Sequence, residues 1–423
     1  MKDSTTMCIS SKLYRGQVGT LGIKSSSALL LLVISLTSAN ADQYHYNNIL
    51  IGDRASGMGG AYTAVSDDPS GLYYNPSGIA FMSGASISGS MNAFHITKTE
   101  YKNVLGGDSW TRKSSTLTPN FFGAVQPFAG GMIGFSWAVP DVILEDQDQE
   151  FSNFTTNGGV LIKQYNINFN NQDTTYNIGP TFAYKLGQNL SLGATLYGYY
   201  RRQERILNQQ VYFDKIGNRW TNQYFESTEY GINPVIGIMW SPRNKLSLGI
   251  NLRKPYVLSS QTRLQNTVQD INDTTLGLPN IVEQTDKRKL PYELDFGTAY
   301  FANEKLLISA DIHYFQKLDE RLAVLNWAVG TEYYISSNWA LRLGTYSNYA
   351  NTPSIVQGQN NQQEHIDLIG ASTSLSHFTR NSSISLGFSW SGGNGKAQVI
   401  DDGTIQKVTA HTTTLFFSAV YSY

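Results

Sequence analysis

Cysteine is almost absent from this sequence. The single cysteine, Cys8, lies in an N-terminal stretch that we expect to be removed, and no leucine-rich lipobox precedes it, so a lipid anchor is not expected. A mature chain without thiols has neither disulfides nor cysteine-ligated metals, which is typical of a bacterial envelope protein. Long apolar runs are missing too, because no mature stretch approaches the ~20 apolar residues of a membrane-spanning helix.

Charge and catalytic motifs are also scarce. Charged residues make up 15% of the chain and its net charge is −1, which gives no indication of a nucleic-acid partner. The six histidines are scattered, and no Gly-x-Ser-x-Gly, His-Glu-x-x-His or Gly-x-x-x-x-Gly-Lys motif occurs. We therefore predict that the protein is not an enzyme and has no catalytic residues, metal or cofactor.

The first residues carry the marks of a secretory signal. Four basic residues precede a short apolar run at 28–36, and Ala39-Asn40-Ala41 follows it. A positive region, a short hydrophobic region and an A-x-A site together predict a signal peptide over residues 1–41. Met7 is an alternative start.

Aromatic residues are plentiful, and much of the chain alternates between apolar and polar residues. Apolar residues recur at every second position in 190–200, and the segment 176–186 mirrors them across the turn 187–189. A period of two on both sides of a turn predicts a hairpin whose strands share one apolar face. Three further hairpins follow the same pattern.

The whole chain contains fourteen such segments, an even number. We therefore predict an all-β fold, a 14-stranded antiparallel transmembrane β-barrel, with alternation slipping near Ala93-Phe94 and Gly370. The predicted strands lie near 85–96, 116–126, 132–139, 174–186, 190–200, 227–240, 245–257, 290–301, 305–314, 322–335, 339–349, 365–376, 382–390 and 408–423.

Connections between these strands alternate in length. Tight turns follow the even-numbered strands, whereas long connections are predicted at 97–115, 140–173, 201–226, 258–289, 350–364 and 391–407. Tight periplasmic turns and long outer loops are typical of outer-membrane barrels. Aromatic residues in the long loops are candidates for capturing a ligand, or for ordinary loop packing: Phe151, Phe154, Tyr212, Phe213, Tyr224 and Phe225.

Tryptophan placement is a second test of the barrel. Five tryptophans fall at or near predicted strand ends on the apolar face, where an indole suits a lipid headgroup boundary, although ordinary core packing is the alternative. They are Trp137, Trp240, Trp327, Trp339 and Trp390. The last strand ends on the aromatic Tyr423, which resembles the signal that barrel assembly machinery recognises.

One stretch, Gly52 to Met82, does not read as a strand. It contains Arg-Ala-Ser-Gly-Met-Gly-Gly-Ala, then Asp-Asp, then Tyr-Asn-Pro, and so resembles the N-terminal hatch of the FadL/TodX family of outer-membrane channels for long-chain fatty acids and other hydrophobic molecules. The resemblance implies a hatch over residues 42–83 inside a barrel of residues 84–423. Ser77 stands where the family usually has alanine. The implied hatch and gating residues are Arg54, Gly57, Gly59, Gly60, Asp67, Asp68, Asn75 and Pro76.

Each hatch feature has a plainer interpretation. The glycine run at 57–60 suits close backbone packing better than a phosphate cradle, because no strand, helix and lysine context surrounds it. Arg54 either pairs with Asp67 or Asp68, or all three are solvated turn residues. Asn75-Pro76 either gates the lumen, as the resemblance implies, or forms a simple turn.

Six charged residues fall on predicted inward faces of strands. Glu332 and Arg342 are equidistant from Ser337, so the hairpin should place them opposite each other as an ion pair. These charges either line a polar constriction on the substrate path or brace the barrel. The six lumen residues are Arg253, Glu293, Asp295, Asp311, Glu332 and Arg342.

Together these features predict a Gram-negative outer-membrane protein that takes up a fatty acid or aromatic hydrocarbon passively. Outer-membrane lipid, lipopolysaccharide and the barrel assembly machinery are its expected partners, and a monomer is expected. A general porin and a scaffold for outer-membrane assembly remain as alternatives, because a fold does not fix a function.

Overall fold

The computed structural model describes residues 44–156, 159–214, 217–270, 277–319, 321–399 and 404–423. The predicted signal peptide lies outside the described residues. The N-terminal segment, defined here as residues 44–85, contains α1 (Arg54–Gly57), α2 (Gly71–Tyr74) and a 3₁₀ helix (Pro76–Phe81). Among the described residues, no helix has both the length and the apolar character needed to cross a membrane.

Everything that follows the N-terminal segment is dominated by β-strands. Seventeen strand segments form one sheet. Their bounds are β1 (Ser86–Leu105), β2 (Asp108–Phe128), β3 (Gly131–Thr155), β4 (Leu161–Leu186), β5 (Leu190–Phe213), β6 (Gly217–Arg243), β7 (Leu246–Arg253), β8 (Tyr256–Asp270), β9 (Asn280–Gln284), β10 (Glu293–Asn303), β11 (Leu306–Phe315), β12 (Val324–Ser336), β13 (Trp339–Asn348), β14 (His365–Ile366), β15 (Leu368–Phe378), β16 (Ser382–Ala397) and β17 (Gln406–Ser422).

The sheet closes on itself as a 14-stranded barrel. Neighbouring strands pair antiparallel, and β17 pairs with β1 to complete the ring. Two barrel strands are each interrupted once, β7 and β8 at Lys254-Pro255 and β14 and β15 at Asp367, while β9 pairs with β8 outside the ring. Pro255 has no N–H to donate to the ladder, which explains the first break. The predicted fold class is confirmed, and all fourteen predicted positions are strands.

The predicted slip of alternation in the first strand is a bulge. The register of β1 against β17 shifts between Asn92 and Phe94, so the two sides of the bulge place opposite parities on the inner face. The alternation in this part of the sequence fails for that reason, and the strand itself continues to Leu105.

A belt of exposed apolar side chains surrounds the barrel. We call the end towards which β3 to β6 extend beyond the belt the upper end of the barrel. On these strands the upper boundary of the belt is an aromatic row, Trp137, Tyr176, Tyr200 and Tyr230, whose adjacent ring centroids lie 6.2, 6.0 and 5.1 Å apart. Ten positions further along β6, Trp240 lies near the opposite rim and is half exposed. Ten residues of a strand tilted by about 40° span roughly 25 Å, which is the height of the lipid-facing band of an outer-membrane barrel.

Five of the six predicted long loops are wrong, because strands occupy more than half of each. The intervals 97–115, 140–173, 201–226, 258–289 and 391–407 are largely occupied by β1 to β6, by β8 and β9, and by β16 and β17. Above the aromatic row the outer face is polar, so apolar residues no longer alternate outward although the backbone pairing persists. Trp137 and Trp390 therefore lie in the middle of their strands and not at the ends.

Above the aromatic row the apolar side chains lie mainly on the inner face of the barrel rather than on its outer face. Its inner face carries a cluster of buried aromatic and aliphatic side chains centred on Trp110, Phe151 and Phe169. Phe154 belongs to the same cluster, whereas Tyr212, Phe213, Tyr224 and Phe225 lie half-buried on β5 and β6. None of the six predicted capture residues is on a loop, so that prediction is corrected: they belong to strands of this extension.

Candidate functional site

The N-terminal segment lies against the inner wall of the barrel, and glycines make this close approach possible. At six wall positions, besides Gly134 of β3 where only the flexible end of the Leu72 side chain lies so near, a Cβ in place of hydrogen would come within 3 Å of an atom of the segment, and most of these atoms are backbone. Two neighbours across β12 and β13, Gly330 and Gly344, both face Met58. We call these six positions the glycine belt: Gly193, Gly237, Gly249, Gly297, Gly330 and Gly344.

A buried chain of charges ties the segment to the wall. Glu332 and Arg342 are directly opposite on β12 and β13, and Arg342 Nε donates to Glu332 Oε1 at 2.8 Å. Arg54 of α1 also binds Glu332, with Nε 2.9 Å from Oε2, and pairs with Asp67 at its other end. Glu332 is fully buried, so its carboxylate holds two guanidinium groups in a place without solvent.

The chain of charges continues from Arg342 to the closing strand. Arg342 Nη1 lies 3.4 Å from Asp53 Oδ1, and Ser418 of β17 donates its hydroxyl to the same oxygen at 2.6 Å. Asp53 precedes α1. The segment is therefore bound to β12, β13 and β17 through the side chains of its adjacent residues Asp53 and Arg54.

A second anchor consists of Asp311 and Arg253, on two strands that precede β12 in the ring. Asp311 of β11 accepts hydrogen bonds from the backbone N–H groups of Tyr62 and Thr63 at 2.8 and 2.7 Å. Arg253 of β7 donates to the carbonyl oxygen of Tyr73 at 2.5 Å and stacks over the ring of that tyrosine. Two of the predicted lumen residues therefore contact the segment directly.

Asn75 is the centre of the third anchor. Its side-chain amide donates to the carbonyl oxygens of Thr63 at 2.7 Å and of Ile238 on β6 at 3.2 Å. Its side-chain oxygen accepts from the Ser77 hydroxyl at 2.6 Å and from the Ser77 N–H, capping the 3₁₀ helix that begins at Pro76. The Ser77 hydroxyl thus gives Asn75 a hydrogen bond that an alanine at this position could not make.

The remaining predicted hatch residues occupy the segment itself. Gly59 and Gly60 have φ values of 68° and 84°, which a side chain would strain, and Gly57 faces Ser374 on β15. Asp67 is the partner of Arg54. Asp68 accepts from the N–H of Ser70 at 2.7 Å, and burial raises the pKa of its carboxyl to about 6.

One cluster has ligand types suited to a metal. Glu293, Asp295 and His313 bring their ligand atoms within 4.8 Å of one another. The ligand atoms are already engaged, since His313 Nδ1 lies 2.7 Å from Asp295 Oδ1 and Arg253 lies 3.4 Å from Glu293. The nearby guanidinium and these pairings suit a structural charge network better than a cation site.

A chamber lies between the segment and the apolar cluster of the upper barrel. The segment contributes residues 45 and 47–50 to its floor, and β1, β2, β3 and the last strands contribute its walls. A second, smaller space lies on the other side of residues 46–50, beside Arg253 and His313. Residues 47–50 line both, so this short stretch separates the two spaces.

The wall of the chamber has a gap in its strand pairing. β2 and β3 pair at Ser114 with Glu145 and again at Phe121 with Ala138. Between these points no residue of β2 is paired with a residue of β3. Pro119 and Pro140 lie on the facing stretches, and neither can donate to the ladder. The gap adjoins Trp137, at the upper edge of the lipid-facing belt.

Sequence reasoning missed two sets of functional residues. The glycine belt was visible as glycine recurring on the inward parity of β5, β6, β7, β10, β12 and β13. The chamber's ion pair, in which Arg112 Nη2 lies 2.6 Å from Glu145 Oε2, gave no such signal, because both residues fell in predicted loops.

Comparisons with known proteins agree with this architecture. No family model matches the chain, and no curated protein matches it. Solved structures do match. A FadL homologue of Pseudomonas aeruginosa is 13% identical with a TM-score of 0.64, and the match covers 90% of this chain and 99% of that one.

Two TodX structures are similar to the chain as well. The toluene transporter TodX of Pseudomonas putida is 15% identical with a TM-score of 0.57 over 90% of this chain and 99% of that one. A deltaS2 mutant of the TodX monoaromatic hydrocarbon channel is 12% identical with a TM-score of 0.66 over 89% and 100%. The chain therefore has the fold of the FadL and TodX outer-membrane channels, as the resemblance of its N-terminal residues implied.

Proposed function

We propose that this chain is an outer-membrane channel for passive uptake of hydrophobic small molecules, with the N-terminal segment as its hatch. The observation that carries the proposal is a bore occupied by the chain's own N-terminal segment, which only non-covalent contacts hold against the wall. A structure closed in this way becomes a path when those contacts rearrange. The names of the similar structures, a toluene transporter and a monoaromatic hydrocarbon channel, support a hydrophobic substrate.

The arrangement suggests a route in two steps. A ligand enters the chamber from the upper side and rests on residues 47–50, which form its floor. When the segment shifts, the ligand leaves downward or through the stretch in which β2 and β3 are not paired with each other. Neither step requires an energy source. A fatty acid and an aromatic hydrocarbon are both candidates for the ligand.

The two rival functions fit the same features less well. A general porin requires a water-filled bore, whereas Met58, Tyr62 and Leu72 of the segment are fully buried inside this one. A scaffold needs no internal chamber. The expected lipopolysaccharide contacts, recognition by the assembly machinery and monomeric state remain predictions.

A disulfide lock tests the hatch. A Cβ at Gly57 would lie 3.0 Å from Cβ of Ser374, so cysteines at these two positions can form a bond after a small shift towards the usual separation of about 3.8 Å. The Gly57→Cys/Ser374→Cys protein should take up radiolabelled toluene, decanol and decanoate at background rates when oxidised. Reduction should restore uptake, because the segment can then move.

Each single cysteine variant is the matched control, since it carries the substitution without the bond. Both should transport equally in oxidant and reductant. Equal uptake by the locked and reduced forms of the double variant, with the disulfide verified by mass spectrometry, would contradict gating by the segment.

A further inference from the structure

The charge of the chamber is unbalanced. Among the described residues that line it, Asp141, Glu145 and Glu364 carry carboxylates and Arg112 alone carries a guanidinium. A ligand with a negative headgroup therefore meets an excess of like charge from buried and half-buried carboxylates, whose repulsion is screened less than it would be in bulk water.

The single guanidinium is also occupied. Arg112 Nη2 donates to Glu145 at 2.6 Å, its Nη1 lies 3.2 Å from the Tyr101 hydroxyl, and its cation lies 4.9 Å from the centre of the Phe169 ring. A bound carboxylate would have to displace Glu145 from this site. Asn171 donates to the same oxygen of Glu145 at 3.0 Å, so displacement would cost Glu145 two hydrogen bonds.

A positive headgroup meets the opposite situation, because the same excess of carboxylates attracts it. Two of the three carboxylates accept their hydrogen bonds from neutral groups, Glu364 from Tyr101 at 2.7 Å and Asp141 from Asn48 at 3.3 Å, so they keep their negative charge. An ammonium group loses its hydration on entry and gains this attraction in return, so the chamber discriminates against anions and not against cations.

The rest of the lining combines hydroxyl groups with apolar patches. Thr97 and Thr412 lie 3.1 Å apart through their hydroxyls, and His95 lies 2.8 Å from the Thr414 hydroxyl. Val142 and Phe416 line the same space. Hydroxyl groups accept and donate, so they accommodate a neutral polar group, whereas a pure hydrocarbon would remove their solvent and return nothing.

We propose, on the basis of the transport function above, that the chamber selects uncharged amphiphiles, such as alkanols and phenols, over carboxylates of the same chain length. The proposal narrows the substrate class from hydrophobic molecules in general to those with a neutral hydrogen-bonding group. It places fatty-acid anions among the weaker ligands of this protein.

Equilibrium binding in nanodiscs tests the selection. Radiolabelled decanol, decanoate and decylammonium are measured at pH 7.5 with the intact protein, and partition into empty nanodiscs is subtracted. We expect decanol to bind at least tenfold more tightly than decanoate, and decylammonium to bind more tightly than decanoate, because the excess charge repels only the anion. Decanoate binding as tightly as decanol, or as tightly as decylammonium, overturns the selection, whereas no binding of any of the three would contradict the transport function itself.

Two variants link the result to the chamber. Glu145→Gln frees Arg112 from its partner and should raise decanoate affinity at least tenfold while decanol affinity changes less than threefold. Glu364→Gln should raise decanoate affinity severalfold, and it keeps the test open if the first variant does not assemble. Glu150→Gln, exposed on the same strand as Glu145, is the matched control and should change neither. Unchanged decanoate affinity in both chamber variants would overturn the proposal.

Discussion

Glu332 is the single residue through which the N-terminal segment and the neighbouring strand share one buried charge. Its carboxylate is fully buried and binds the guanidinium groups of Arg54 and Arg342 at once, one from the N-terminal segment and one from the neighbouring strand. The carboxylate that pairs across the hairpin therefore also holds the segment, and its place in a polar constriction on the substrate path stays a prediction.

We expect Glu332→Gln to loosen the segment while the barrel still forms. Two buried guanidinium groups would lose their shared anion, and breaking a buried ion pair destabilises by about 3–5 kcal/mol. The variant should show ion conductance in planar bilayers where the parent is closed, and unfolding in urea should begin at lower concentration. Glu304→Gln, in an exposed turn, serves as the control. A closed Glu332→Gln channel with parental stability would contradict the role of this network.

For single residues, the sequence predicts contacts between positions that are close together in the chain. Glu332 and Arg342 are opposite because both are five residues from Ser337, and hairpin geometry needs no further information. The same reasoning could not connect Arg54 to Glu332, which lies 278 positions away. The pairing of Arg54 with Asp67 was one of two options, and only the packed segment distinguishes Asp67 from Asp68.

Among the elements, the strands show which part of a barrel an alternating sequence predicts and which part it does not. All fourteen were predicted, because lipid on one side and a polar lumen on the other impose alternation. Their upper ends were not, because the outer face there meets water and the inner face is apolar. The apolar residues there move to the inward parity, as Tyr165, Ile167 and Phe169 of β4 do, and a search for continuous outward alternation misses this inverted pattern.

The glycine belt makes the contact between segment and wall sensitive to a single methyl group. Gly344→Ala would place Cβ against the backbone of Met58, where nothing flexible can yield. We expect the segment to be displaced, so that a protease cleaves within residues 44–85 in the variant but not in the parent, while the heat-modifiable migration of the folded barrel persists. Gly89→Ala, where a Cβ meets nothing within 4 Å, is the control. Equal protection of both proteins would show that the belt does not seat the segment.

On the scale of the whole molecule, the lipid-facing belt fixes how the barrel lies in the membrane. The aromatic row at Tyr230 and the rim at Trp240 bound one face of β6, and Ile236 lies between them with more than half of its side chain exposed. The belt height and the extension above it together imply that β3 to β6 rise well beyond the bilayer on one side.

Arginine substitution measures that placement. Ile236→Arg should lower the free energy of unfolding in liposomes by about 2–4 kcal/mol, because a charge near the bilayer centre is costly. Leu264→Arg, on β8 above the aromatic row, should change it by no more than about 1 kcal/mol. Similar losses at both positions would mean that the belt is misplaced.

The absence of side chains at the glycine belt also has a consequence for the evolution of the protein. At the glycine belt the segment's own atoms fill the space that wall side chains would otherwise take, so the two parts of the chain share one volume. A side chain gained at Gly237 must be matched by atoms lost at Asn75, and one gained at Gly344 by atoms lost at Met58. Across related sequences, substitutions in these strands and in the segment are therefore expected to arise in compensating pairs.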